Sequence, residues 1–160
     1  MVKVCLPKRG VVAEVGTDNG TFAEIILKFS VPSELHVIDI SLAKFRRDVF
    51  AQEIQAGTVR LHESDSVEAL RRFPDGYFDW IYIDANHSYE SVKRDIDEAK
   101  RAVKRGGLLV FNDYAFRSHR EVMAYGVVQA VNELCLSENW DLLYLALHPE
   151  MYCDVALRRR

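Results

Sequence analysis

The sequence predicts an α/β fold: a doubly wound, mostly parallel seven-stranded sheet in the order 3-2-1-4-5-7-6 with a C-terminal antiparallel hairpin. Short β-branched apolar runs alternate with segments of helical period up to about residue 138. The runs 140–147 and 152–157 are then separated by four residues, too few for a helical crossover. Because parallel strands are joined by right-handed crossovers, these two observations fix the topology. Residues 1–160 are expected to form a single domain.

The parallel strands are read from apolar runs that end at turn residues. Residues 10–15 are nearly continuous in apolar character, which is typical of a strand covered on both faces, and the run stops at Gly16. A Pro-Asp-Gly turn at 74–76 introduces the fourth strand. The predicted strands are 10–15, 35–40, 59–63, 78–84 and 108–111.

The helices follow from apolar periodicity and capping residues. Thr21 is predicted to begin the first helix, with Glu24 completing a capping box. A second helix is predicted from Ser41, with Leu42, Phe45 and Val49 on its apolar face. The others are a short helix capped by Asp65 or Ser66, one from Ser88 closed by Gly106-Gly107, and one carrying Val122, Val128, Val131 and Leu134.

Composition excludes several classes of partner. With 21 Lys+Arg against 24 Asp+Glu, the formal net charge is −3, and the sole dense basic run is Arg158 to Arg160. Nucleic acid is therefore not an expected partner, and without an apolar run of about 18 residues neither is a membrane. Cys5, Cys135 and Cys153 show no metal or disulfide spacing. A cytoplasmic location is expected, and a homodimer is left open.

Polar residues follow every predicted parallel strand. Glu14, Gly16, Asp18 and Gly20 surround the end of the first strand, and Asp39 stands 19 residues after Gly20. Asp65, Asp84 and Asn112-Asp113 follow the third, fourth and fifth strands. Ligands of doubly wound sheets bind beyond these strand ends. Helix capping and turn bonding explain each acid singly, but they explain the whole set poorly.

The first turn and Asp39 together indicate the kind of ligand. Asp18 stands where a dinucleotide fingerprint needs its second glycine, and a carboxylate there repels a pyrophosphate. An acid at the position of Asp39 can accept both hydroxyls of a ribose. The expected ligand therefore has a ribose, no pyrophosphate and a cationic end, a description that fits S-adenosylmethionine.

These residues resemble the class I S-adenosylmethionine-dependent methyltransferases over nearly the whole chain. Glu14-x-Gly16-x-x-x-Gly20 is similar to the family's first motif, and the resemblance implies that Asp39 binds the ribose and Asp65-Ser66 the adenine. The cofactor-binding residues it implies are Glu14, Gly16, Thr17, Asp18, Gly20, Asp39, Ile40, Asp65, Ser66 and Asp84.

A narrower resemblance concerns residues 84–90 and 112–114, which are similar to sugar O-methyltransferases with a D-x-x-H-x-Y motif. It implies that His87 is the catalytic base, with Asp84 beside it. Asp84, Asn112 and Asp113 would also offer oxygen ligands at neighbouring strand ends, which suit Mg²⁺ or Ca²⁺. Capping and turn bonding are the alternative for these three residues, and an acid is commoner in the subgroup where Asn112 stands.

The leading hypothesis is methyl transfer from S-adenosylmethionine to a hydroxyl oxygen of a small-molecule acceptor. A non-catalytic S-adenosylmethionine-binding module, or a subunit that needs a partner, is the alternative, because helices that often cover the acceptor pocket are missing before residue 10. An NAD-type oxidoreductase is disfavoured by Asp18 and by the hairpin. Sugar, catechol-like ring and nitrogen acceptors stay open.

Overall fold

A computed structural model describes residues 6–120 and 122–160, so Cys5 lies outside the described part of the chain. The strands of the main sheet are β1 (Val11–Val15), β2 (Glu34–Asp39), β3 (Val59–Glu63), β4 (Phe78–Ile83), β5 (Val103–Phe111), β8 (Trp140–Ala146) and β9 (Asp154–Arg159). The helices are α1 (Thr21–Ser30), α2 (Ala51–Gln55), α3 (Ser66–Arg71), α4 (Tyr89–Ala102) and α5 (Val127–Ser137). Two short strands, β6 (Arg117–Ser118) and β7 (Met123–Ala124), form a separate antiparallel pair.

The seven strands are arranged in the order β3-β2-β1-β4-β5-β9-β8, parallel from β3 to β5 and antiparallel at β9 and β8. The α/β class and the mostly parallel sheet are therefore confirmed. The observed order differs in detail from the predicted 3-2-1-4-5-7-6, because β6 and β7 precede the final pair. The antiparallel hairpins are consequently not confined to the C-terminus. β6 and β7 were not predicted because a strand of two residues is too short to show a periodic pattern.

Each central strand buries both faces, which is why apolar runs predicted them. On β1 and β4, Ala13 and Ile81 belong to the core beneath α3, α4 and α5, whereas Val12 and Trp80 face the core beneath α1. All four side chains have no exposed surface. This double covering leaves the carboxyl ends of the strands as the place where the sheet is open to a ligand.

The helix predicted from Ser41 is wrong. Residues 41–50 are turns, and α2 covers only Ala51–Gln55. The amide of Ser41 donates to Oδ1 of Asp39 (3.0 Å), and Nε of Arg46 donates to the carbonyl of Asn19 (3.0 Å). Phe45 still packs inward on the ring of Phe50, as its periodicity suggested, but the bond to the neighbouring Asp39 and the bond to the distant Asn19 replace the helical ladder.

One helix cap and one helix boundary also differ from prediction. α1 begins at Thr21 as predicted, but its N-cap is Gly20 and no side chain caps it, so the capping box is wrong. Thr21 donates its hydroxyl to Asn19 instead. α4 ends at Ala102 rather than at Gly106, because β5 already begins at Val103. In the described residues, no helix has the length and apolar character needed to cross a membrane.

Candidate functional site

A cavity of about 810 Å³ lies at the carboxyl ends of β1, β2 and β4 and at the start of α3. This is the first cavity. Its volume is within the usual range for small-molecule sites. The predicted cofactor residues on its wall are Glu14, Gly16, Thr17, Asp18, Asp39, Ile40, Asp65, Ser66 and Asp84. Residues from four loops therefore meet as the strand-end rule predicted.

Gly16 brings β1 and β4 together at the wall of this cavity. Its φ of +84° lies in the left-handed region, and its amide donates to the carbonyl of Ile38 (2.8 Å). A Cβ at this position would lie 2.1 Å from the carbonyl oxygen of Asp84. Only glycine fits both the dihedral angle and the close approach of the two chains.

Gly20 lies beside aromatic rings at the start of α1. It also has a φ of +84°, but it is absent from the wall of the first cavity. A Cβ there would lie 2.7 Å from the ring of Phe45 and 2.9 Å from that of Phe50. The structure thus places Gly20 in the packing of the 41–50 segment against α1.

Asp39 organises the turn after β1. Its Oδ2 accepts hydrogen bonds from the amides of Thr17 (2.8 Å) and Asp18 (3.2 Å), while Oδ1 accepts from Ser41. A carboxylate has about four lone-pair sites. The bonds within the chain therefore hold the carboxylate in place and leave acceptor capacity towards the cavity.

Asp18 does not stand alone at the cavity mouth. Its carboxylate forms a 3.0 Å ion pair with Lys44, another residue of the cavity wall, and both side chains are largely exposed. An exposed pair contributes little to stability and opens readily. Lys44 therefore partly balances the negative charge of Asp18, on which the prediction of a cationic ligand depended. The sequence did not predict this lysine.

Glu14 is the most deeply buried acid of the first cavity. Thr17 donates its hydroxyl to Oε2 (2.8 Å), whereas Oε1 is buried with no hydrogen-bond partner. Burial raises the pKa of Glu14 to about 8, only partly opposed by the Thr17 bond. Glu14 is thus a neutral carboxylic acid at pH 7 when no cation lies beside it.

The pKa of Glu14 predicts a pH-dependent stability. Folding takes up a proton between the ordinary pKa of 4.5 and the folded-state pKa of about 8. In that window the free energy of unfolding should fall as pH rises, by about 1.4 kcal/mol per pH unit from this group. Urea unfolding from about pH 5 to pH 8 should show that Glu14→Gln removes this slope. The exposed-residue control Glu68→Gln should keep it, and equal slopes in all three proteins would contradict the prediction.

The far end of the first cavity is formed by α3 and α4. Asp65 caps α3 by accepting from the amides of Val67 and Glu68, and Ser66 donates its hydroxyl to Asp95. Burial raises the pKa of Asp95 to about 6. Ser91, Arg94 and Asp95 of α4 line the cavity but were missed. Asp95 could have been found from the sequence, because it is an acid within the apolar helix face that carries Val92 and Ile96.

His87 lies among the residues of the D-x-x-H-x-Y motif and of the fifth strand end. Its Nε2 is 3.6 Å from Oδ1 of Asp84, 3.8 Å from Oδ2 of Asp113 and 3.4 Å from Oδ1 of Asn112. The ring stacks on Tyr125 with centroids 4.4 Å apart. Positive charge gained by the imidazole would therefore be balanced by two carboxylates.

The side chains of Asp84, Asn112 and Asp113 lie close to other protein groups. The imidazole nitrogen of His87 stands within 4 Å of both carboxylates. The side-chain Nδ2 of Asn112 donates to the hydroxyl of Tyr82 and to the carboxylate of Asp154. Among residues 6–120 and 122–160, no group of three or more His, Cys, Asp and Glu side chains could hold a metal.

A second cavity of about 620 Å³ adjoins His87 from the side of β5 and β9. Asn112 and Asp113 line it, and Phe22 belongs to both cavities. The sequence did not predict the other wall residues, which are Ile25, Tyr82, Ser118, Arg120, Tyr125, Ala146, Leu147, His148, Tyr152 and Asp154. They come from segments far apart along the chain, and no motif links them.

The sheet order, the antiparallel pair beside β5 and the glycine turn with its acid on β2 define a class I methyltransferase fold. A family model described as a methyltransferase domain matches residues 13–114. The chain belongs to this methyltransferase domain family. Membership supports S-adenosylmethionine as the cofactor, as the strand-end residues predicted. No curated protein matches the chain.

Solved structures show the same fold at low identity. N-methyltransferase NodS from Bradyrhizobium japonicum WM9 aligns over 99% of this chain and 90% of its own, at 18% identity and a TM-score of 0.68. The ribosomal protein L11 methylase from Lactobacillus delbrueckii subsp. bulgaricus aligns over 99% and 74%, at 18% identity and a TM-score of 0.69. A Streptococcus thermophilus protein described as a "putative hemolysin" has a TM-score of 0.71 at 14% identity, and this chain spans 60% of its length.

Proposed function

We propose that this domain transfers a methyl group from S-adenosylmethionine in the first cavity to a hydroxyl oxygen of a small molecule in the second. The observation that carries the proposal is the position of His87. It lines the first cavity, while Asn112, Asp113 and Tyr125 around its ring line the second. A proton acceptor at the junction of two ligand-sized cavities suits group transfer between their occupants.

The chain's own groups would hold the donor at three points. Asp39 would accept the ribose hydroxyls, and Asp65 with Ser66 would border the base. Glu14, with its unpaired buried oxygen, would face the cationic methionine part. Another structure of NodS from Bradyrhizobium japonicum WM9 contains S-adenosyl-L-homocysteine, which supports this choice of cofactor. When bound, S-adenosylmethionine supplies the methyl group from its sulfonium and leaves as S-adenosylhomocysteine.

His87 would then act on the acceptor. An attacking hydroxyl oxygen must lose its proton as it bonds to the methyl carbon, and an imidazole can take that proton near neutral pH. Asp84 and Asp113 would balance the charge that the ring gains. Because the carboxylates stay fixed by the ends of β4 and β5, the ring need not reorganise when the proton arrives.

A binding experiment tests the donor site directly. Asp39→Asn should weaken S-adenosylhomocysteine binding about 100-fold by isothermal titration calorimetry. A hydrogen bond to the remaining lone-pair site of this charged acceptor contributes up to about 3 kcal/mol, which corresponds to that factor. The neutral amide also loses one of the two oxygens that accept from Thr17 and Ser41.

Glu63→Gln is the matched control for this substitution. Glu63 also ends a strand at the same rim and accepts a hydrogen bond from the 41–50 segment, at the amide of Leu42, but it does not line the first cavity. Its variant should bind within threefold of the wild type. An Asp39→Asn protein that is folded and retains wild-type affinity would refute the donor site, as would a wild type that gives no heat at millimolar ligand.

A further inference from the structure

The second cavity has a half-buried carboxylate in its wall. Asp154, the first residue of β9, accepts hydrogen bonds at Oδ1 from Asn112 (3.1 Å) and at Oδ2 from the hydroxyl of Tyr82 (3.5 Å). Burial raises the pKa of Asp154 to about 6, so the group is still ionised at neutral pH. With the backbone of Asp113 as a third partner, these bonds still leave one of the about four lone-pair sites of the carboxylate, so Asp154 can accept another bond from a ligand.

The arginine on the wall of this cavity is engaged with other side chains. Arg120 lines the cavity, but its guanidinium is paired with Glu150 and lies over the ring of Tyr152, 5.7 Å from the centroid. Asp113 shares the cavity with Asp154, and its charge contributes to the raised pKa of Asp154. The wall therefore favours a ligand group that brings positive charge.

Aromatic side chains form much of the remaining wall. Phe22 stacks on Tyr82 with centroids 3.9 Å apart, and Tyr125 and Tyr152 line the same cavity. Such side chains pack well against a planar ring, and their faces also attract a cation. Acid and aromatic groups in one cavity are the complement of a ring that carries an ammonium group.

We infer that the second cavity selects a methyl acceptor with an aromatic ring and a protonated amino group, and that Asp154 binds the ammonium. This inference rests on the proposed function. An ammonium nitrogen has no free electron pair and cannot accept the methyl, so a hydroxyl of the same molecule would take it. Asn112 lies between the ammonium-binding carboxylate and the proton acceptor. Its Nδ2 donates to Asp154, and its Oδ1 lies 3.4 Å from Nε2 of His87.

Three phenols that differ chiefly in charge test the inference: tyramine (cationic), tyrosol (neutral) and 4-hydroxyphenylacetate (anionic). Their affinities would be measured by calorimetry on the whole chain with saturating S-adenosylhomocysteine. Tyramine should bind at least tenfold more tightly than 4-hydroxyphenylacetate, with tyrosol between them. Asp154→Asn should bring the three affinities to within about threefold and leave S-adenosylhomocysteine affinity unchanged.

Two further variants keep the test independent of folding at Asp154. Leu147, which is 83% exposed, lies on the cavity wall, so Leu147→Lys should weaken tyramine and strengthen 4-hydroxyphenylacetate without disturbing the core. Asp141→Asn alters a β8 carboxylate that is paired with Arg160 and lines neither cavity, and it should change nothing. Equal binding of the three phenols, tightest binding of the anion, or no phenol binding while S-adenosylhomocysteine binds would overturn the inference alone. Failure of S-adenosylhomocysteine to bind would overturn the proposed function and the inference with it.

Discussion

Gly16→Ala is expected to lower the free energy of unfolding by about 4 kcal/mol, the sum of backbone strain and overpacking. The φ of +84° is unfavourable for alanine, and the new Cβ would lie 2.1 Å from the carbonyl oxygen of Asp84 and 2.7 Å from Cα of Ala85. These are backbone atoms at the end of β4, so no side-chain rotation can relieve the contact. Urea unfolding followed by circular dichroism measures the change.

Gly57→Ala separates the two causes. Gly57 has a similar φ of +75°, but a Cβ there would meet no atom within 4 Å. Gly57→Ala should therefore lower the free energy of unfolding by the backbone strain alone, about 1 kcal/mol. If the two variants lose equal stability, the contact between the first turn and the end of β4 is not as close as the structure shows. The new Cβ would also displace the end of β4 and with it Asp84. The folded fraction of Gly16→Ala should therefore bind the cofactor more weakly than the wild type does.

Sheet elements could be predicted because their signal is local. The central strands are buried on both faces, and Val12, Ala13, Trp80 and Ile81 with no exposed surface leave apolar runs that any reader of the sequence can find. Their order followed from handedness and from the short connection between β8 and β9, apart from the two extra strands β6 and β7 that precede the final pair. The same topology explains why residues from the ends of β1, β2 and β4 meet in one cavity.

Features held by distant contacts could not be predicted. The 41–50 segment has helical periodicity, yet the carboxylate of Glu63 and the carbonyl of Asn19 bind it as a series of turns. Gly20 fits the spacing of a cofactor glycine, but the spacing does not reveal the rings of Phe45 and Phe50 beside it. Asp154 reaches the second cavity only because β9 pairs antiparallel to β5. Its neighbours in sequence give no sign of that position.

His87→Gln is expected to lower the turnover rate of methyl transfer by 100-fold or more, within the range found when a general base is lost. Glutamine keeps a polar side chain near Asp84 and Asn112 but cannot take a proton near neutral pH. Turnover would be measured as S-adenosylhomocysteine released from S-adenosylmethionine, with a hydroxyl acceptor that the wild type methylates. Affinity for S-adenosylhomocysteine should change by less than threefold, because His87 borders the donor cavity at its junction with the second.

His119→Gln is the control for loss of an imidazole, since His119 is exposed and lines neither cavity. Its turnover should equal that of the wild type. A second variant, Asp113→Asn, tests whether the carboxylates support the charged ring, and it should lower turnover by less than His87→Gln does. If His87→Gln retains turnover within threefold of the wild type, proton removal does not pass through His87. The junction of the two cavities would then act by aligning the acceptor with the methyl group alone.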